Sequence, residues 1–167
     1  MGLKLDDLPS GMKVYIDTNI FLYSAFKHPV FGDECREFFI KIDEGGLTGC
    51  VSDFVLNEVF HKLMIAEVAK KFKKAAKETV KYIKRNPEVI SNLAVVWREM
   101  DIIDNSNIII LEDKFSLFPD FVEISRIYNL MATDAMHVSV MKKHGITNIA
   151  TNDRDFKRIE WLNIWKP

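Results

Sequence analysis

The spacing of apolar and polar positions changes period several times along the chain, and each change predicts an element. Lys13-Val14-Tyr15-Ile16 is a short apolar run with β-branched residues that stops on Asp17, which reads as a buried strand. Thr18 to about Phe26 begins a helix or tight turn. Phe31, Cys35, Phe38, Phe39 and Ile42 recur at helical spacing, so 31–43 is predicted helical, with Gly45-Gly46 as its stop. A short strand over 47–51 follows. Ser52 or Asp53 then caps a long helix that carries Val55, Leu56, Val59, Phe60, Leu63 and Met64. The helical pattern continues from Ala69 to about Arg98, divided at Asn86-Pro87 because proline disfavours helix in the residue before it. Strands are expected at 107–111, 149–151 and 162–165. Helical segments are expected at 121–128, 133–144 (ended by Gly145) and 153–159. Alternating strands and helices imply an α/β fold, a three-layer α/β/α sandwich around a mainly parallel sheet.

Composition narrows this picture. The 167 residues are 48% hydrophobic, enough for one globular domain. Residues 1–12 form an N-terminal extension without the apolar core of a signal peptide, and 13–167 form the domain, with a basic helical segment at about 69–98. No apolar run approaches the roughly 20 residues of a membrane span. Two cysteines, Cys35 and Cys50, make no disulfide framework, and the chain is expected to be soluble and cytoplasmic. A net charge of −1 predicts no partner by itself.

Four carboxylates stand out by position. Asp17 ends the first strand. Glu58 lies on the apolar stripe between Val55 and Val59. Asp134 opens its helix after Thr133. Asp153 follows the strand that ends near Thr151. Taken singly, Asp17, Asp134 and Asp153 suit helix caps or turns, and Glu58 suits a solvated helix face. Taken together they stand where a parallel sheet gathers its carboxyl ends, the usual place for a ligand crevice. Two bare carboxylates about 6 Å apart repel by roughly 3 kcal/mol at an effective dielectric near 20. Four require a counter-charge, and an all-oxygen set favours Mg²⁺ or Mn²⁺ over Zn²⁺.

The motifs Val14-Tyr-Ile-Asp17-Thr-Asn-Ile-Phe21, Ser52-Asp-Phe-Val-Leu-Asn-Glu58-Val59, Ala132-Thr-Asp134-Ala-Met-His-Val138 and Ala150-Thr-Asn-Asp153-Arg-Asp155-Phe156 resemble those of the PIN-domain ribonucleases, whose VapC-like toxins are the best-known branch. The likeness runs from about Lys13 to the C-terminus and is weakest over 69–112, which looks longer and more basic than a minimal PIN domain. The resemblance implies that Asp17, Glu58, Asp134 and Asp153 bind the metal, with Asp155 the alternative to Asp153. It implies that Thr18, Asn19 and Thr151 are the supporting polar residues, and that Phe156 packs in the core. It further implies an endoribonuclease in which metal-activated water attacks the phosphodiester and leaves a 5′-phosphate and a 3′-hydroxyl. The role it implies is the toxin of a toxin–antitoxin pair, with an antitoxin protein as partner and a homodimeric state. RNA maturation is the second such role.

An acidic pocket repels RNA, so positive charge is needed near it. Lys70, Lys71, Lys73, Lys74, Lys77, Lys81, Lys84 and Arg85 face one acid, Glu78, over that stretch. They fit phosphate contact, an acidic protein partner or a solvated helix face equally, with Phe72, Ala76, Val80 and Ile83 expected to pack inward. His61 and His137, each three residues after a candidate acid, are candidates for extra ligands against a simpler reading as structural residues. Trp97, Trp161 and Trp165 are expected in the core or an interface. The loop over 111–120 is a candidate for substrate selection. A haloacid-dehalogenase-type phosphatase also places an Asp after its first strand, but wants a second Asp at position 19, where this chain has Asn. A non-catalytic domain that binds RNA or a protein is the remaining alternative.

Overall fold

The computed structural model describes residues 3–112 and 116–167, apart from the side chain of residue 76. The chain divides into two compact units, 1–56 with 107–167, and 57–106.

The first unit is built on a six-stranded sheet in the order β1-β6-β5-β2-β3-β4, in which every pairing is parallel. The strands are β1 (Leu3–Lys4), β2 (Lys13–Ile16), β3 (Thr48–Ser52), β4 (Ile109–Leu111), β5 (Asn148–Ala150) and β6 (Asn163–Lys166). Helices cover both sides, as a parallel sheet requires. They are α1 (Thr18–Ala25), α2 (Gly32–Asp43), the start of α3 (Asp53–Lys71), α6 (Phe118–Tyr128) and α7 (Ala132–Lys143). α1 packs with α2, and α6 with α7.

The alternation of strand side chains is suppressed where the sheet is deepest. Val14, Tyr15 and Ile16 on β2 are all buried, as are Ile149 and Ala150 on β5. Apolar side chains on both faces of the central strands are what a sheet covered on both sides demands. The helices bury single stripes, such as Cys35, Phe38 and Ile42 on α2. Gly49 on β3 makes room for this packing, because a Cβ there would meet Ile42 Cδ1 at 2.7 Å and displace it. Gly45 and Gly145 end α2 and α7 at φ +78° and +62°, the left-handed geometry that terminates helices.

Most boundaries fall within a few residues of those expected. One element was not expected. Residues 3–4, placed in an N-terminal extension, form β1 beside β6, with Leu5 buried in the 3-10 turn (Leu5–Asp7) that follows. Residues 1–2 and 113–115, the latter within the loop considered for substrate selection, lie outside the described residues.

The second unit holds most of α3, then α4 (Ala76–Arg85), a 3-10 segment (Pro87–Asn92) and α5 (Val95–Asp104). The continuous helix expected up to Asn86 is interrupted before α4, where Lys73 adopts φ +48°. On α4, Val80 is exposed rather than inward, and Thr79 is fully buried. Phe72 and Tyr82 pair their rings at 5.0 Å. α5 has no side-chain cap of its own. Glu67, from α3, supplies one at long range: its carboxylate accepts from Ala94 N at 2.7 Å and Val96 N at 2.9 Å.

Burial alone would push the Glu67 carboxyl up, but the backbone N–H groups of Ala94, Val96 and Val95, with Lys71 nearby, outweigh it and hold the carboxyl below its ordinary value of 4.5. A depressed carboxylate contributes stability that is present above the unfolded value and lost as pH falls through the folded one. Glu67→Ala is expected to cost about 1–3 kcal/mol in urea unfolding at neutral pH, because it orphans two helix-terminal donors. The gap from wild type should shrink in acid as the wild-type carboxylate is protonated.

Candidate active site

The site begins where β2 stops. Asp17 leaves the strand in extended conformation and caps α1, accepting from Thr18 N at 2.6 Å through Oδ1. Its other oxygen, Oδ2, accepts from Asn19 Nδ2 and, at 2.5 Å, from Thr151 Oγ1. Asp17 is thus both the cap and the candidate ligand that the sequence offered as separate readings. β5 lies beside β2 and delivers Thr151, which is fully buried. The Thr151 hydroxyl is saturated: it donates to Asp17 and accepts from Asn19 Nδ2 at 3.1 Å and Asp153 N at 2.9 Å. Asn19 Oδ1 in turn accepts from Asn152 N at 3.2 Å, tying α1 to the turn after β5.

Asp134, in the first turn of α7, is half-buried at the same edge. Its carboxyl is raised above the ordinary value of 3.8 by burial first, then by the charge of Asp153, with Asp17 and Asp155 adding to the effect and His137 opposing it. Acids from two separate segments, Asp17 and the 153–155 turn, therefore act on one carboxyl. Among them Asp153 acts most strongly. It also accepts from Asp155 N at 2.8 Å, while Asp155 pairs with Arg158 at 2.8 Å. Among the described residues, no three His, Cys, Asp or Glu side chains are arranged to hold a metal ion as they stand.

Glu58 lies on α3 within the second unit, where it pairs with Lys62 at 2.6 Å. His137 points into the core, with Nδ1 3.1 Å from the Tyr15 hydroxyl. That hydroxyl also hydrogen bonds to Ser52 Oγ at 2.7 Å, and Ser52 accepts from Val55 N at 3.4 Å as the cap of α3. This buried network was not foreseen, although a Tyr in β2, a Ser ending β3 and a His one turn into α7 are the polar residues that such a core must satisfy. His61 is exposed on the second unit. Phe156 and Trp165 are buried in the core, and Trp165 Nε1 donates to Asn148 Oδ1 at 3.1 Å. Trp161 is half-buried, whereas Trp97 is exposed with its ring 5.7 Å from Phe60.

Both cysteines are buried thiols. Burial, with the charge of Glu34, pushes Cys35 up to about 12, so it is no nucleophile at neutral pH. On the basic segment, Lys71 donates to the Asn92 carbonyl at 3.1 Å and Lys74 lies 4.4 Å over the Tyr82 ring. Lys70, Lys73, Lys77, Lys81, Lys84 and Arg85 are exposed. Among the described residues, no helix is long and apolar enough to cross a membrane.

A parallel sheet in the order β1-β6-β5-β2-β3-β4, with acidic residues at its carboxyl edge, is an open α/β sandwich whose crevice lies at that edge. Residues 14–162 match the PIN domain, and the chain belongs to that family. Ribonuclease VapC2 of Methanocaldococcus jannaschii is 27% identical over 91% of this chain and 92% of its own length. Two solved structures share the fold. VapBC2 of Rickettsia felis, bound to a promoter DNA fragment, has a TM-score of 0.60 at 19% identity, covering 93% of this chain and 98% of that one. Mycobacterium tuberculosis VapC20, described as a toxin that cleaves the sarcin-ricin loop, has a TM-score of 0.61 at 14% identity, covering 91% and 98%.

The raised carboxyl of Asp134 makes a signed prediction. Below 3.8 the group is protonated folded or unfolded, and above its raised folded value the native state carries an unfavourable charge. In chelator, Asp134→Asn should match wild-type stability at the acid end and gain on it as pH rises through the carboxylate range. Urea titrations at several pH values check this, and a difference that stays flat with pH would refute the charge crowding.

Proposed function

We propose that the protein is a metal-dependent endoribonuclease and acts as the toxin of a toxin–antitoxin pair. The observation that carries this reading is the crowding of Asp17, Asp153 and Asp155 on the half-buried carboxyl of Asp134, beside a clamp that fixes Asp17. Such crowding is unfavourable without a counter-ion. The donor set is carboxylate oxygen, which fits Mg²⁺ or Mn²⁺. We assign Asp17, Asp134 and Asp153 as ligands, and Glu58 as the fourth on its motif alone. Asp153 is preferred to Asp155, whose carboxylate is engaged by Arg158. A bound divalent cation would supply charge neutralisation at the phosphate and acidification of water.

The chain's own residues do the positioning. Thr18 N, Asn19 and Thr151 fix both oxygens of Asp17, so that this carboxylate is presented in one orientation. The hydroxyl of Thr151 also holds the Asp153 backbone, which couples the two acids through one atom. The Ser52 cap sets the start of the helix that carries Glu58. The exposed cations of α4 are proposed to contact RNA phosphates or an acidic segment of an antitoxin. The relative named Ribonuclease VapC2 supports the ribonuclease assignment. A homodimer in the cytoplasm is the state we propose for it.

Incubation of the purified protein with total RNA and Mg²⁺ or Mn²⁺, with 5′ ends mapped, should give cleavage that EDTA abolishes. Asp17→Asn should lower the rate by about 10²- to 10³-fold, the equivalent of several kcal/mol of transition-state stabilisation. No metal-dependent cleavage by the folded wild type would overturn the nuclease reading. Expression should arrest growth, and Asp134→Asn should relieve the arrest.

The saturated hydroxyl of Thr151 predicts a separate effect. Thr151→Val keeps the shape but removes three hydrogen bonds, and should lower activity about 10- to 100-fold by loosening the ligands. Thr151→Ser should retain most of it in the same cleavage assay.

A further inference from the structure

One group of cations stands beside the acids without a role in the nuclease reading. Thr151 N donates to the Trp165 carbonyl at 2.9 Å, and the register pairs Ala150 with Trp165. The next residue of β6, Lys166, is therefore level with Thr151, one strand spacing of about 4.8 Å away. Lys166 is half-buried, and Arg154 and Lys157 are exposed in the segment that follows Asp153. The Lys166 ammonium is held below its ordinary range by burial first, then by the charges of Lys157 and Arg154, with Asp153 pulling the other way. It therefore feels two cations and one of the site acids at once. Arg158, the neighbouring cation, is otherwise engaged, with Asp155 at 2.8 Å and the Asn129 carbonyl at 2.7 Å.

Like charges gathered near one sheet edge repel, and an anion offsets that repulsion. We propose that Lys166, with Arg154 and Lys157, forms a phosphate-binding strip that holds the RNA backbone immediately beside the carboxylate site; this rests on the nuclease reading. An RNA strand whose scissile phosphate meets the acids and that runs along this sheet edge brings a neighbouring phosphate to these cations. The acids repel that backbone, and the strip offsets the repulsion at the point of entry. An acidic protein segment has no comparable need to approach the carboxylates.

The test uses the full chain in an Asp17→Asn background to suppress cleavage, with a fluorescein-labelled single-stranded RNA of mixed sequence as probe. Anisotropy titrations from 50 to 200 mM KCl give the affinity and its salt slope. Lys166→Gln and Lys157→Gln should each weaken binding by roughly threefold and reduce the slope by about 0.7, the value for one phosphate contact on a single strand. Lys166→Arg should recover most of the affinity. Arg36→Gln on α2, an exposed cation paired with Asp33 at 3.3 Å, controls for net charge and should leave the slope unchanged. Lys157→Gln, at an exposed position, keeps the test decisive should Lys166→Gln fail to fold. An unchanged slope in both glutamine variants, or an equal loss in the Arg36 control, overturns the strip. So does intact RNA binding with lost binding of a poly-glutamate peptide, which would reassign the cations to an acidic protein. Wild-type cleavage of RNA alongside an unchanged slope would sink the strip and leave the nuclease reading standing. A wild type that neither cuts nor binds RNA ends both.

Discussion

A carboxylate held nearly out of solvent at the end of a central strand is the constraint around which the first unit is organised. Asp17 is 8% exposed. A charge so placed is costly unless several donors meet it. The backbone supplies one at Thr18, the next turn supplies Asn19, and the third comes from Thr151. That third donor requires β5 to lie beside β2, with Asp17 N bonded to the Ala150 carbonyl at 3.0 Å. The same parallel pairing brings the turn holding Asp153 to the same edge. One buried charge thus links the register of the sheet to the composition of the site.

Two acidic residues show how differently the fold treats carboxylates. Glu67 is surrounded by backbone N–H groups and held below its ordinary range, as suits a structural cap. Asp134 is surrounded by other acids and pushed above it. Both are partly withdrawn from water, so burial does not distinguish them. Their company does: backbone donors lower the Glu67 carboxyl, and neighbouring acids raise that of Asp134.

Much of the fold was legible because strands that are buried on both faces read as apolar runs. The runs at 13–16 and 148–150 end on polar residues that mark the carboxyl edge. Asp17 and Asp153 stood out for that reason, Asp134 as the acid in the first turn of its helix, and the motifs named the family. What escaped has physical causes. β1 is two residues long, and its pairing to β6 depends on a partner more than 150 residues away, which no local pattern encodes. The interruption before α4 rests on a lysine at positive φ, a conformation with no sequence signal of its own. The cap on α5 comes from Glu67 on a different helix, so no capping residue stands at the expected place. On α4, Thr79 rather than Val80 is buried, because the helix is rotated from the face its apolar residues suggested.

The order of strands in the sheet also sets an order in time. β2 stands between β3, which follows it in the chain, and β5, after which comes Thr151, 132 residues beyond the Asn19 it bonds. A chain growing from its N-terminus therefore displays Asp17 long before the hydroxyl that orients it exists. Neither the clamp nor the turn bearing Asp153 can form until β5 has been synthesised. Loop closure over such separations is slow as well as late. The donors around Asp17 are therefore complete only once β5 pairs with β2.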